Sequence, residues 1–489
     1  MRLVALLLLL PWALAQTLLP ADTFGLSFRE EAGAWIYEGE GVRLVHVPGV
    51  GWVEPLDPSL PPPDGERIPL EALKALGYFR TPEAGVRHGT QGRALRIVLD
   101  LPGPEPAPKP PSEGQAPGNL SLLLPYLAPG ITQVPWPKGV GARVRLLPGG
   151  TELSLSFPGK LLRYRLFPLK DPDRLVLDLY VLEAEVEEPL APGVRYREVW
   201  AFAPEPLRLY LVEAEKGRLV PVGRPGVRAL PKDLAKDALA VLNGGYFDPK
   251  TATPLGLWVQ DGVTVSYPFG RVALMWDSFG FFMGFPRFEA VVQGPRGERV
   301  RVGINASRAR YTAHTVPGPV GKEGEEVALV VGERVQAILP APQELPAGAW
   351  ALTFPKGSPP FPLEPGDPLS LYGRLDPPVR YALEGGPLLV REGQYAFDPS
   401  RENFRDPRPL QAMAPQAAVA WTREGRLWLL VSEPTTPGVL ARALLALGAW
   451  NALRMDGGGS AQLWVKGRLR NPYQGSPRPV VSALALYVP

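Results

Sequence analysis

Three glycine clusters, each at the end of a short apolar run, limit this chain's fold more than any other feature. They are Asn243-Gly244-Gly245-Tyr246-Phe247, Glu384-Gly385-Gly386-Pro387 and Met455-Asp456-Gly457-Gly458-Gly459-Ser460. One Gly-Gly is a turn. Three at strand ends predict a shared, backbone-lined pocket, because glycine lets main chains approach a ligand closely. Gly244, Gly245, Gly385, Gly386, Gly457, Gly458, Gly459 and Ser460 are therefore the candidate binding residues. The triple glycine can also turn N–H groups inward as an anion nest without any cationic side chain.

The same clusters carry the candidate chemistry. Asp456 sits at a strand tip flanked by backbone donors, which suits a general acid, a nucleophile or a ligand. Glu384 holds the equivalent place in the second cluster and is its candidate partner, since glycoside hydrolysis ordinarily uses two carboxyl groups. The amide of Asn243 donates and accepts, which suits a sugar hydroxyl or a phosphate oxygen. Ser460 lacks a Gly-x-Ser-x-Gly elbow, so a serine hydrolase is poorly supported.

Composition removes other classes. The 489 residues contain no cysteine, which excludes disulfides, thiolate nucleophiles and cysteine zinc sites together. His46, His88 and His314 are scattered, so a histidine metal site is not expected; clustered oxygen ligands leave Ca²⁺ as the one open metal, and no cofactor is required. A formal charge of +3 without a basic, aromatic-interleaved cluster argues against nucleic acid. The 61 prolines fit a loop-rigidified, heat-tolerant protein.

In chain order, residues 1–15 read as a secretory signal: Arg2, the apolar run Leu3 to Leu10, and Ala13-Leu14-Ala15 before Gln16. No later segment is apolar enough to span a membrane, so a secreted, periplasmic or envelope location is expected. Residues 16–101 read as a small module of strands and one helix, Pro69 to Gly77, which resembles the N-terminal module of copper amine oxidases. Residues 102–118 read as a Pro-rich linker. Residues 119–190 read as a β module whose line Phe167 to Leu179 resembles the AMIN module of envelope proteins; its Val-Leu-Asp-Leu ending resembles that at Val98 to Leu101. Residues 191–489 form the remaining domain. Its best helix is 437–447, capped by Thr436 and ended by Gly448. A helix packed on sheet with an acid at a strand end predicts an α+β fold: a mixed sheet-and-helix catalytic-type domain preceded by small, mainly β accessory domains.

Residues from about 193 onward resemble the phosphodiester glycosidase family. The matching pieces are the three glycine clusters, Gly256 through Gly262, and Arg478-Pro479-Val480-Val481-Ser482-Ala483-Leu484. The resemblance implies cleavage between a sugar's anomeric carbon and a phosphodiester oxygen, of the N-acetylglucosamine type, in an envelope or extracellular glycan. It also implies Arg478 as a phosphate contact. One position departs: Gln416 stands where the family carries arginine and Ala417 where it carries threonine, leaving Arg405 and Arg408 as replacements from the preceding loop. Gln416 is thus a candidate contact at the phosphate site. Two functions follow, a hydrolase or a non-catalytic envelope protein that keeps the fold to bind carbohydrate.

Overall fold

A computed structural model describes residues 17–39, 41–102, 112–202, 205–278, 280–305, 309–404 and 408–488. The expected signal at 1–15 and most of the Pro-rich run lie outside the described residues, as does Arg405. The chain divides into two compact units, Met1–Ala184 and Glu185–Pro489.

The first unit is built from antiparallel strands. Ser27–Glu31, Ala34–Gly39, Val42–Val47 and Gly51–Trp52 form a meander, and the expected helix is Leu70–Ala75. A second sheet runs in the order Gly141–Leu147, Gly150–Leu169, Arg174–Glu183, Ala94–Asp100, Gly85–Gln91. The two similar Val-Leu-Asp-Leu lines are neighbours in it, with Val98 opposite Val176 and Arg96 opposite Asp178. Arg96 grips the buried Asp178 carboxylate with two nitrogens, each at 2.7 Å. Strands from the stretches read as separate modules thus share a sheet, and Leu44, Ile97, Leu153 and Leu177 share one core. Residues 112–118, read as the end of a linker, belong to the strand Ser112–Leu124.

The second unit corrects the α+β expectation: it is predominantly β. Among the described residues its α-helices are Pro231–Leu234, Arg408–Gln411 and Pro437–Ala446, the longest of ten residues. The reason is the frequency of Pro and Gly, 61 and 53 residues, which leaves few uninterrupted stretches long enough for helix. The Pro437–Ala446 helix forms as its pattern predicts, with the Thr436 hydroxyl accepting from Val439 N. It covers the outer face of an eight-stranded sheet through Leu440, Ala443 and Leu444.

That sheet runs Val186–Ala191, Val194–Phe202, Pro206–Ala214, Leu427–Ser432, Ala417–Thr422, Ala449–Arg454, Leu388–Arg391, Gln394–Tyr395. Two five-stranded sheets meet its inner face around Leu242, Trp258, Leu383, Val419, Leu453 and Leu484. One contains Ala240–Asn243 and Ser482–Tyr487, the other Trp258–Gln260, Ala273–Asp277 and Tyr381–Glu384. Between Phe288 and Leu375 the chain forms a seven-stranded sheet with its own core of Val292, Leu352, Phe354 and Leu369. No helix among the described residues is long and apolar enough to cross a membrane.

Candidate active site

Strand ends from all three inner sheets converge. Asp456 N donates to the Gly244 carbonyl at 3.1 Å, and Gly386 N donates to the Arg454 carbonyl at 2.8 Å. A Cβ on Gly245 would come within 2.6 Å of the Glu384 carbonyl, and one on Gly385 would overlap the Arg454 carbonyl. Gly244, Gly245, Gly385 and Gly386 are all buried. These four glycines therefore let strand ends touch one another, rather than lining an open ligand nest.

The third cluster differs. Gly457 and Gly458 are half-buried and Gly459 is exposed. Gly458, at φ +61°, donates to the Pro415 carbonyl at 2.7 Å. Ser460 lies against the Asp456 carboxylate, which Arg454 and Arg478 also stabilise. Burial opposes them and pushes the Asp456 pKa above the ordinary carboxylate value. Arg478 lies in an exposed loop pinned to the glycine run: the Tyr473 hydroxyl donates to the Gly459 carbonyl, Arg478 N donates to that hydroxyl at 3.1 Å, and Gln462 Nε2 holds the Arg478 carbonyl at 2.7 Å.

Three expected site residues have other tasks. Asn243 is fully buried: its Nδ2 donates to the Asp456 carbonyl at 2.7 Å, and its Oδ1 accepts from Gln462 N at 3.0 Å. It is a staple between the strand end and the Asp456 turn, with no free atom for chemistry. Asn243→Ala is expected to lower stability by about 3 kcal/mol, by orphaning a buried N–H and carbonyl. Urea unfolding measures this, and turnover should fall with it as the Asp456 turn loosens.

Glu384 is 2% exposed, and its carboxylate accepts from the backbone N–H groups of Leu257, Phe269 and Arg271 at 2.8 to 3.1 Å. Burial nonetheless raises its pKa to about 7. It ties the 257–271 turns to the strand. Gln416 is fully buried, its Nε2 bound to the carbonyls of Ala414 and Thr435 at 2.8 Å each.

Other residues come into view only in three dimensions. Glu402 is a second buried carboxylate held by backbone, accepting from Leu388 N at 2.8 Å and Val272 N at 3.1 Å. Arg271 is clamped between the rings of Tyr246 and Phe404, its guanidinium carbon 4.6 Å from each centroid. It donates to the carbonyls of Asn403 and Leu255. Burial lowers its pKa, against the attraction of Glu384, Glu402 and Asp456. Arg454 donates through Nε to Gln416 Oε1 at 2.6 Å and through Nη1 to the Tyr246 hydroxyl. An arginine inside an otherwise apolar strand, Ala452-Leu453-Arg454-Met455, is the signal that could have found it.

Tyr246, Arg271 and Phe404 form one wall of a cavity of about 280 Å³, completed by Phe269, His314 and Pro317. Asp248, which also lines the cavity, caps a turn by accepting from Lys250 N and Thr251 N. Among the described residues no group of three or more acidic or histidine side chains converges to hold a metal ion.

Residues 299–487 match the family model described as phosphodiester glycosidase. No curated protein matches the chain. A hypothetical protein from Synechocystis shares the fold, with a TM-score of 0.51 and 20% identity over 95% of this chain and 92% of its own. The zebrafish N-acetylglucosamine-1-phosphodiester alpha-N-acetylglucosaminidase catalytic domain, auto-inhibited by its pro-peptide, is 15% identical, with a TM-score of 0.36 over 63% of this chain and 88% of its own. A putative exported protein from Burkholderia pseudomallei is also 15% identical, with a TM-score of 0.42 over 84% and 98%. The stretch similar to the phosphodiester glycosidase family, residues 299–487, carries Glu384, Arg454, Asp456 and Arg478.

Proposed function

We propose that the protein is an exported hydrolase that cleaves a sugar-1-phosphodiester bond, of the N-acetylglucosamine type, in envelope or extracellular glycans. The observation that carries this reading is the surroundings of Asp456. It is the carboxylate at the convergence point whose oxygens are not consumed by a ring of backbone amides, and it feels two guanidiniums, Arg454 and Arg478. Glu384 and Glu402 are locked by main chain.

One carboxylate among cations suits a leaving group that departs as an anion. A phosphodiester oxygen takes the bonding electrons without a strong proton donor, so positive charge on the phosphate replaces the second acid. Asp456 is left to act at the anomeric carbon, directly or by activating water. The 280 Å³ cavity is not lined by Asp456 itself, but its wall residue Tyr246 bonds Arg454, and it has room for a sugar ring against Tyr246, Phe269 and Phe404.

The test is hydrolysis of UDP-N-acetylglucosamine and a panel of aryl-phosphate-linked sugars. Release of free sugar from any of them supports the reading. Sugar or phosphate binding without release from any donor refutes it in favour of a carbohydrate-binding envelope protein.

A further inference from the structure

Arg454 is a guanidinium buried to 2% exposure with two neutral hydrogen-bond partners. Both partners are themselves fixed. Gln416 spends its amide nitrogen on two carbonyls, so its oxygen is left for Arg454 Nε. The Tyr246 hydroxyl donates to the Gly386 carbonyl at 2.6 Å, which leaves its lone pair for Arg454 Nη1. The charge opposing Arg454 is the Asp456 carboxylate, and a guanidinium with two neutral bonds has donors left for a second anion.

The remaining nitrogen, Nη2, is pressed against the loop that turns away from Asp456. A Cβ on Gly457 would overlap it and come within 3.0 Å of Gln416 Oε1. Gly457 has φ −108°, which any residue adopts, so the guanidinium and not the backbone demands glycine there. The fold thus makes room beside Asp456 for an oriented cation. Ala418, two residues after Gln416, lies opposite Arg454 in the sheet, so this charge comes from the strand adjoining position 416.

We propose that Arg454, oriented by Gln416, binds the phosphoryl group of the substrate beside Asp456. This rests on the phosphodiester reading above. Gln416 is then a positioning residue, and the exposed Arg478 contributes less. A guanidinium matches two phosphate oxygens at once, which a reoriented or shorter cation does not.

The test titrates inorganic phosphate into the full chain by calorimetry, comparing wild type with Arg454→Gln, Arg478→Gln and Gln416→Met, with unfolding temperatures as a check on folding. Arg454→Gln is expected to weaken phosphate binding by about tenfold or more, the worth of hydrogen bonds to a charged group. Arg478→Gln is expected to change it less. Gln416→Met keeps the cation but frees its fork, so phosphate binding weakens and KM for a sugar phosphate rises more than kcat falls.

Wild-type affinity in a folded Arg454→Gln, the larger loss in Arg478→Gln, or no phosphate binding by wild type would each overturn the proposal. If Arg454→Gln does not fold, unchanged phosphate affinity in Gln416→Met overturns it. Arg454-dependent phosphate binding without hydrolysis of any sugar phosphodiester would sink the hydrolase reading and leave this assignment standing.

Discussion

Asp456→Asn is expected to abolish sugar release from a sugar-1-phosphate ester, a loss on the order of 10³-fold in kcat, while the protein stays folded. The backbone of residue 456 carries its cross-strand bonds, while its carboxylate bonds only within its own turn: its N–H reaches Gly244 and its carbonyl accepts from Asn243. Neither depends on the side chain. The carboxyl itself is raised in pKa by burial, so a neutral carboxamide of the same shape removes a strained charge. Stability should therefore hold or rise. If Asp456 were only the cap of a glycine turn, the substitution would do the reverse, lowering the urea midpoint and sparing turnover. Measuring kcat and the midpoint on the same preparation separates the two.

The convergence of the three glycine clusters was legible in the sequence because close backbone approach leaves a residue-type signature that no side chain substitutes for. The use of each cluster was not. Glu384 and Asp456 occupy matching places, an acid before glycines at a strand end, yet one side chain turns into the amides of Leu257, Phe269 and Arg271 and the other does not. That difference depends on which sheet packs against each strand end, and no local pattern encodes it.

Gln416 shows the same limit from the other side. Read along the chain, it is a missing cation; across the sheet, it is the acceptor that aims Arg454. The fold class failed for a related reason. The Pro437–Ala446 helix is readable from its cap and apolar face, but one good helix on a sheet says nothing of how many strands surround it. Short strands broken by Pro and Gly carry weak periodicity, and their number emerges only from pairing.

Glu384→Gln is expected to destabilise the second unit by about 3 kcal/mol, because a carboxamide offers one acceptor oxygen to a ring of donors that two oxygens satisfied. It should also change how stability depends on pH. The folded pKa of about 7 lies above the ordinary glutamate value of 4.5, so between these pH values the folded chain keeps a proton that the unfolded chain has released. Its contribution is fully present below pH 4.5 and is lost as pH rises to about 7. The gap corresponds to at most about 3 kcal/mol. Urea unfolding of wild type and Glu384→Gln from pH 4.5 to 7.5 should give profiles that approach one another as pH rises, the wild type losing its advantage. Parallel profiles would mean that Glu384 does not titrate in this window. The variant should still release sugar wherever it remains folded. Complete loss of turnover in a folded Glu384→Gln would instead restore this residue as the second acid and overturn the single-carboxylate mechanism.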